Sequence, residues 1–470
     1  MPGFDLEQVI RRCARALVLA VAGIGCGQWQ RSGTEPRPAT PSTTVPALFD
    51  PTAVYRSMGY MVGGGGNSPL SFIGSVRYLA HSSADSTLAV FAMTLPNRGL
   101  SFHKSGTDYV ADYHVDVVFR RGDVVERQIS RDETVAVHSL KESVREDESI
   151  VFQQFIPVRP GITKVQVRVR DRNGPGIAEV EQTDTVPRLG RGAGVEGKSL
   201  GSPIPFYDGT GREQTDALPK LVLNPRATVP YGEDLLRFYF EAYGLGGGQP
   251  LVTRIVDPSG LELWRDTVML TGVLPLASAE IAIESNQFPV GLAELVVEAP
   301  GAGLEARTPL LVSLSDEWAI ANVQDLLDLL RYFSRQDLLA KLRRAAPEDR
   351  AAVWREFYKA TDPVPGTATN EALDVYFQRL RSANGEFQEP GIPGWRTERG
   401  EVFITLGGPD EVFNPGSQVA VNDVRLIRWR YTNLRLTLEF RDEVGFGQYR
   451  LTPESRAEYS RVLAQVRQHE

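Results

Sequence analysis

The hydrophobic period of this chain changes at Asp316, and that change constrains the fold more than any other feature. From about residue 52 up to about 315, short runs of apolar side chains recur at every second position; from Asp316 they recur at helical spacing, before strand-like runs return near the C-terminus. Tyr109, Ala111, Tyr113, Val115 and Val117 alternate with Val110, Asp112, His114 and Asp116. Val165, Val167 and Val169 alternate with Lys164, Gln166, Arg168 and Arg170, ahead of the turn Asp171-Arg172-Asn173-Gly174. One apolar and one polar face per strand is the pattern of half-buried antiparallel sheet. Further on, Leu236, Phe238 and Phe240 alternate with Arg237, Tyr239 and Glu241, and Asp257-Pro258-Ser259-Gly260 supplies a turn. The expectation is a multidomain chain: two antiparallel β-sandwich modules, 51–186 and 219–315, then an α+β domain over 316–470. A Gly-rich linker is expected over 187–218. A length of 470 residues exceeds what one core serves.

In the last third, Ile320, Val323, Leu326, Leu327, Leu330 and Phe333 mark one helix. Pro347-Glu348-Asp349 opens another, with Val353, Trp354 and Phe357 turned inward. Asn370 caps a third, carrying Leu373, Tyr376, Phe377 and Leu380 and closed by Asn384-Gly385. Strands are expected at Val402 with Ile404, and from Leu434 to Phe440. Pro453 opens a last helix to about Arg467.

The N-terminus reads as an address. Arg11, Arg12 and Arg15 precede the apolar run Ala16 to Ile24, too short to span a bilayer but suited to a signal-peptide core. The run ends at Gly25-Cys26, which resembles a bacterial lipobox, and that resemblance implies acylation of Cys26. Residues 26–50 are rich in Pro, Ser and Thr, a composition that suits a solvated tether. The expected location is the bacterial cell envelope, anchored through N-terminal acyl chains and facing the periplasm or the outer surface.

Cys13 and Cys26 are the only cysteines, so the folded body can hold no internal disulfide and no Cys-ligated metal. The net charge of -8, more acidic still without residues 1–25, argues against a nucleic-acid partner. Gly192 to Ser199 satisfies the Walker A pattern, and a dinucleotide-type glycine pattern and a nucleophile-elbow pattern overlap it. Each of those needs a buried strand before and a helix after. Polar residues precede this stretch, and Ser202-Pro203-Ile204-Pro205 follows, so a linker is expected and no cofactor is implied. Arg121-Gly122-Asp123 is expected to be a hairpin turn.

Gly394-Trp395-Arg396-Thr397-Glu398-Arg399-Gly400, followed by Val402, Ile404 and Gly407-Gly408-Pro409-Asp410-Glu411-Val412, resembles the GWxTD domain family of bacterial envelope proteins. Tyr376, Arg379, Asn384 and Phe387 upstream, and Trp429, Phe440 and Gly445-Phe446-Gly447-Gln448-Tyr449 downstream, extend the likeness. Glu398 stands where the name motif has Asp. The resemblance implies an exported protein of unknown biochemical role and brings no catalytic residues with it. Two readings of the residues stay open. In one, Thr397 or Glu398 bonds turn backbone, Arg399 pairs with a carboxylate, and Trp395 fills a helix–sheet junction, which suits a binding or assembly module for a protein or glycan partner. In the other, Trp395 and Trp429 offer stacking faces, Arg379 and Arg399 hold an anion, and Glu398 and Asp410 act as acid and base of a hydrolase. A metal site is not expected.

Overall fold

A computed structural model describes residues 29–31, 51–64, 68–143, 149–190, 197–232, 234–314, 318–367, 369–415 and 425–469. The signal segment, Cys26, most of the expected tether and the Gly192–Glu196 part of the glycine motif lie outside them. The chain is multidomain, mostly antiparallel sheet, with its longer helices toward the C-terminus. The described residues divide into two compact units. The smaller holds Trp29–Arg31, 332–336 and the residues from 371 onward; the larger holds the rest.

Four sheets build the larger unit. The first joins Met61–Gly63, Phe72–Ala80, Thr87–Pro96 and Ser149–Val158. The second is built around Asp108–Arg121, Gly161–Asp171 and Ile177–Val186. Ala111, Tyr113, Val115, Val117, Val165, Val167 and Val169 turn inward from it, as the alternation requires, and meet Phe72, Phe91, Met93 and Ile156 of the first sheet. Gly122-Asp123 closes the hairpin between Asp108–Arg121 and Val124–Val137. Asp257 Oδ1 accepts from the amides of Ser259 (2.8 Å) and Leu261 (2.9 Å), making the expected turn.

The third sheet brings corrections. Ile204–Thr210, inside the stretch expected to be linker, is a strand paired with both Leu235–Tyr243 and Lys220–Leu223. Its Ile204 and Phe206 are buried against Leu79, Leu88, Val90 and Ala92 on the second face of the first sheet. That first sheet is therefore covered on both faces, which is why Thr87–Pro96 buries nine consecutive residues without alternating. The same contact explains Leu235–Tyr243. Tyr239 and Glu241, expected on a solvated face, are buried. Glu241 is held by Arg212 through Oε1 (2.8 Å) and Oε2 (2.9 Å), and by the hydroxyls of Tyr239 (2.8 Å) and Tyr243. Arg212 also donates to the carbonyl of Ala80 at 2.6 Å, tying the first sheet to the third.

A fourth sheet, centred on Gly291–Ala299, completes this unit. Three helices belong to it in whole or large part: Val323–Leu329, Gln336–Arg344 and Arg350–Thr361. The second was not anticipated. Trp354 of the third stacks on Phe357 (5.1 Å between centroids) and meets Tyr231 edge-on (5.9 Å), so this helix packs on the β structure of its own unit.

In the smaller unit, Glu411–Pro415, Arg425–Tyr431, Leu436–Asp442 and Arg450–Leu451 form an antiparallel sheet. Trp29–Arg31, expected to be tether, adds a backbone strand beside Glu411–Pro415. Leu436, Leu438 and Phe440 are buried, as their spacing predicts. Helices Glu371–Glu386, Glu398–Leu406 and Pro453–His469 accompany the sheet. Val402 and Ile404, expected on a strand, are buried on the helix Glu398–Leu406; the cap described next decides the matter.

Candidate functional site

The glycine-bracketed segment is a helix start folded under another helix end. Thr397 is extended (φ -75°, ψ 162°), and its Oγ1 accepts from the Gly400 amide at 3.0 Å while donating to the Gly394 carbonyl at 2.8 Å. One hydroxyl thereby satisfies an orphan amide of the helix and locks the preceding turn. Gly394 passes so close to the helix Glu371–Glu386 that a Cβ there would sit 2.2 Å from the Ala383 carbonyl oxygen. Trp395 is 1% exposed, and the Arg396 guanidinium lies 4.7 Å over its ring. The ring fills the core and offers no face to solvent.

The charges next to this cap are spent on tying elements together. Glu398 Oε2 accepts from the Leu451 amide at 2.6 Å, and Oε1 pairs with Arg456 of the last helix. Arg399 Nη2 lies 3.4 Å from Glu389 Oε1, and its guanidinium sits 4.3 Å over the Tyr449 ring and 5.5 Å over Phe387. Glu389 itself is the hub. Its side chain is fully buried; Oε1 also accepts from the Tyr449 amide (3.1 Å), and Oε2 from Arg450 Nη1 (3.0 Å). Burial pulls the Arg399 guanidinium below its ordinary value, and the charge of Glu389 pulls it back up. Nearby, burial raises the Glu401 carboxyl, which accepts from the Tyr459 hydroxyl at 3.1 Å.

The other candidates stand elsewhere in this unit. Asp410 Oδ2 accepts from the Thr432 amide at 2.5 Å, and the Asp410 amide donates to the Arg430 carbonyl at 2.9 Å. Arg379 Nη1 donates to the Ile404 carbonyl at 3.3 Å, at the end of the capped helix. Trp429, 3% exposed, packs its ring 4.8 Å from Phe440 and 5.3 Å from Phe387. Leu451, which Glu398 holds, pairs with Phe440; Thr432, which Asp410 holds, lies just past the Tyr431–Leu436 pair. These anchor points are at least four residues apart along one strand, about 13 Å. Carboxylate pairs that hydrolyse glycosides sit about 5–10 Å apart. Among the described residues no cluster of His, Cys, Asp or Glu is arranged to hold a metal.

Glu389 went unnoticed in the sequence because Glu389-Pro390-Gly391 follows a helix without periodicity, and a carboxylate in a turn reads as solvated. Glu386 was missed for the same reason. Its Oε2 is buried without a partner among the described residues, and burial pushes its carboxyl up to about 7. Among the described residues of this unit, the apolar side chains most exposed are Val444 (62%) and Phe446 (75%), between the last two strands. The base of that loop is bonded down: the Gly447 amide donates to Asp442 Oδ2 (2.7 Å), and Gln448 Nε2 to the Pro390 carbonyl (3.3 Å).

No curated protein matches the chain. Two solved structures illustrate how loosely the fold resembles others. Trypsin-activated alpha-2-macroglobulin from Escherichia coli aligns at 9% identity and a TM-score of 0.18, over 53% of this chain and 17% of that one. The Bifidobacterium dentium beta-glucuronidase, complexed with coumarin-3-O-glucuronide, aligns at 11% identity and a TM-score of 0.17, over 53% of this chain and 47% of that one. The chain thus spans less than half the length of either, and likenesses this weak say nothing about its activity. The informative match is to a family: residues 305–463, which include the Thr397 cap, the Glu389 hub and the Val444–Phe446 loop, match the GWxTD domain, and the chain is a GWxTD domain-containing protein.

Proposed function

We propose that this is an exported, lipid-anchored envelope protein that acts as a binding or assembly module for a protein or glycan partner. Acylated Cys26 is the anchor in this reading, and two β-sandwich modules carry the GWxTD domain. One observation supports it most. Trp395, Thr397, Glu398 and Arg399 of the signature are engaged within the fold, while the same unit exposes Phe446 and Val444 on a loop whose base is hydrogen-bonded to Asp442 and Pro390. A fixed base with an apolar tip suits partner contact, because little conformational freedom is lost on binding. The hydrolase reading through Glu398 and Asp410 finds less support, since their anchor points are about 13 Å apart along the strand.

The test is site-specific photo-crosslinking in envelope fractions, with the probe at Phe446 and, as control, at the exposed Glu458. A discrete adduct from Phe446 alone, lost in Val444→Ser, is the expected result. Equal labelling from both positions sinks the binding role of the loop. Mass spectrometry of the mature N-terminus tests the anchor separately, because an unacylated Cys26 removes it from the proposal.

A further inference from the structure

The strand Val124–Val137 is the edge of its sheet. Along one side it pairs with Asp108–Arg121; on the other it pairs with no strand among the described residues. It is fourteen residues long, and every residue except Val137 is exposed or half-exposed. Such an edge is a template for another strand, which proteins blunt with charges and bulges. Both devices are present. The bulge opposite Phe119/Arg120 takes up Glu126, and beyond it come Arg127, Arg131, Asp132 and Glu133. These charges disfavour most partners, and their order favours one.

We propose that this edge pairs antiparallel with the same strand of a second copy of the chain, with the two-fold axis at Ser130. Side chains alternate between faces, and Ile129 and Val135 pack toward the core. A two-fold axis perpendicular to the sheet keeps that face common to both copies only when each residue meets one of its own parity, so the axis must pass through a residue. With the axis at Ile129, Arg127 faces Arg131. At Arg131, Asp132 or Glu133, a charge faces itself. At Gln128 or Thr134, no opposite charges meet. At Ser130, Arg127 faces Glu133 twice, Gln128 faces Asp132 twice, and no like charges are opposed. The groups are placed for it. Arg127 is steadied by Nε on the Pro157 carbonyl (3.0 Å), and Asp132 by the side chains of His114 (2.7 Å) and Arg172 (2.5 Å). The Glu133 side chain, on a residue whose backbone pairs with Tyr113, makes no hydrogen bond among the described residues.

The experiment needs no ligand: analytical ultracentrifugation of the full chain over a concentration series, with circular dichroism to verify folding. The wild type is expected to dimerise. Glu133→Arg sets two arginine pairs in opposition per dimer and should weaken association roughly thirtyfold. The charge swap Arg127→Glu with Glu133→Arg should restore it. Should Glu133→Arg fail to fold, Gln128→Glu, which places a carboxylate opposite Asp132, reads the same register. A wild type that stays monomeric, a Glu133→Arg dimer of unchanged affinity, or a swap that does not recover would each overturn the proposal.

Discussion

Replacing Glu389 with glutamine tests the central claim about this domain, that a buried carboxylate holds its elements together. Glu389 Oε1 accepts from Arg399 and from the Tyr449 amide, and Oε2 from Arg450. Glutamine keeps the volume but removes the charge and turns one acceptor into a donor, which then opposes an arginine or an amide. Losing one partner of a buried pair costs about 3–5 kcal/mol, because the other charge stays behind. Arg450 is 43% exposed and can turn to water; Arg399 is 13% exposed and cannot. The expected loss is therefore near the lower end, about 3 kcal/mol. Urea unfolding of the full chain gives the loss as a midpoint shift at constant slope. Hydrogen exchange should localise it to 398–406 and 449–456. Adding Arg399→Met should recover a good part of the loss, since it removes the stranded charge. A loss under about 1 kcal/mol, or a double variant no better than the sum of its singles, would show that Glu389 is not the hub.

Three further outcomes follow from the same geometry. Thr397→Val removes both bonds of the cap and should cost about 1–2 kcal/mol in thermal unfolding, whereas Thr397→Ser should cost much less; equal effects would mean the hydroxyl is not what matters. Glu386 has its folded carboxyl raised from 4.5 to about 7, so the stability it contributes is complete below pH 4.5 and lost as pH rises through 7. Glu386→Gln should match the wild type near pH 4.5 and exceed it at pH 8 by about 1 kcal/mol, the full shift being discounted because the group is half exposed; melts at the two pH values showing one constant difference would refute this. Glu241→Gln in the larger unit leaves Arg212 buried beside a neutral amide and should cost about 3 kcal/mol, with faster exchange on both Phe72–Ala80 and Leu235–Tyr243; exchange confined to one strand would mean the pair does not join the sheets.

Strands that show one face to solvent were legible, because their side chains record the environment of each face separately. Val165, Val167 and Val169 are buried where period two puts them, and Leu436, Leu438 and Phe440 likewise. The reading failed where a second layer covers the outer face. Tyr239 and Glu241 look like solvated partners of Phe238 and Phe240, yet they lie between two sheets, where Arg212, thirty residues away or so, neutralises the carboxylate. Val402 and Ile404 also fit period two. What makes them helical is Thr397 five residues earlier, whose hydroxyl supplies the first turn with an acceptor.

From the sequence alone came the multidomain character, the switch from strand to helical period, the helix-starting prolines and the GWxTD signature, since each rests on residues close together in the chain. Only the tertiary structure decided which carboxylates are buried and what neutralises them. Glu389 meets Tyr449 and Arg450 about sixty residues further on, and Glu398 meets Arg456 from the last helix. A charge in the chain carries no mark of its future partner; burial and pairing are settled together, when packing removes water from both.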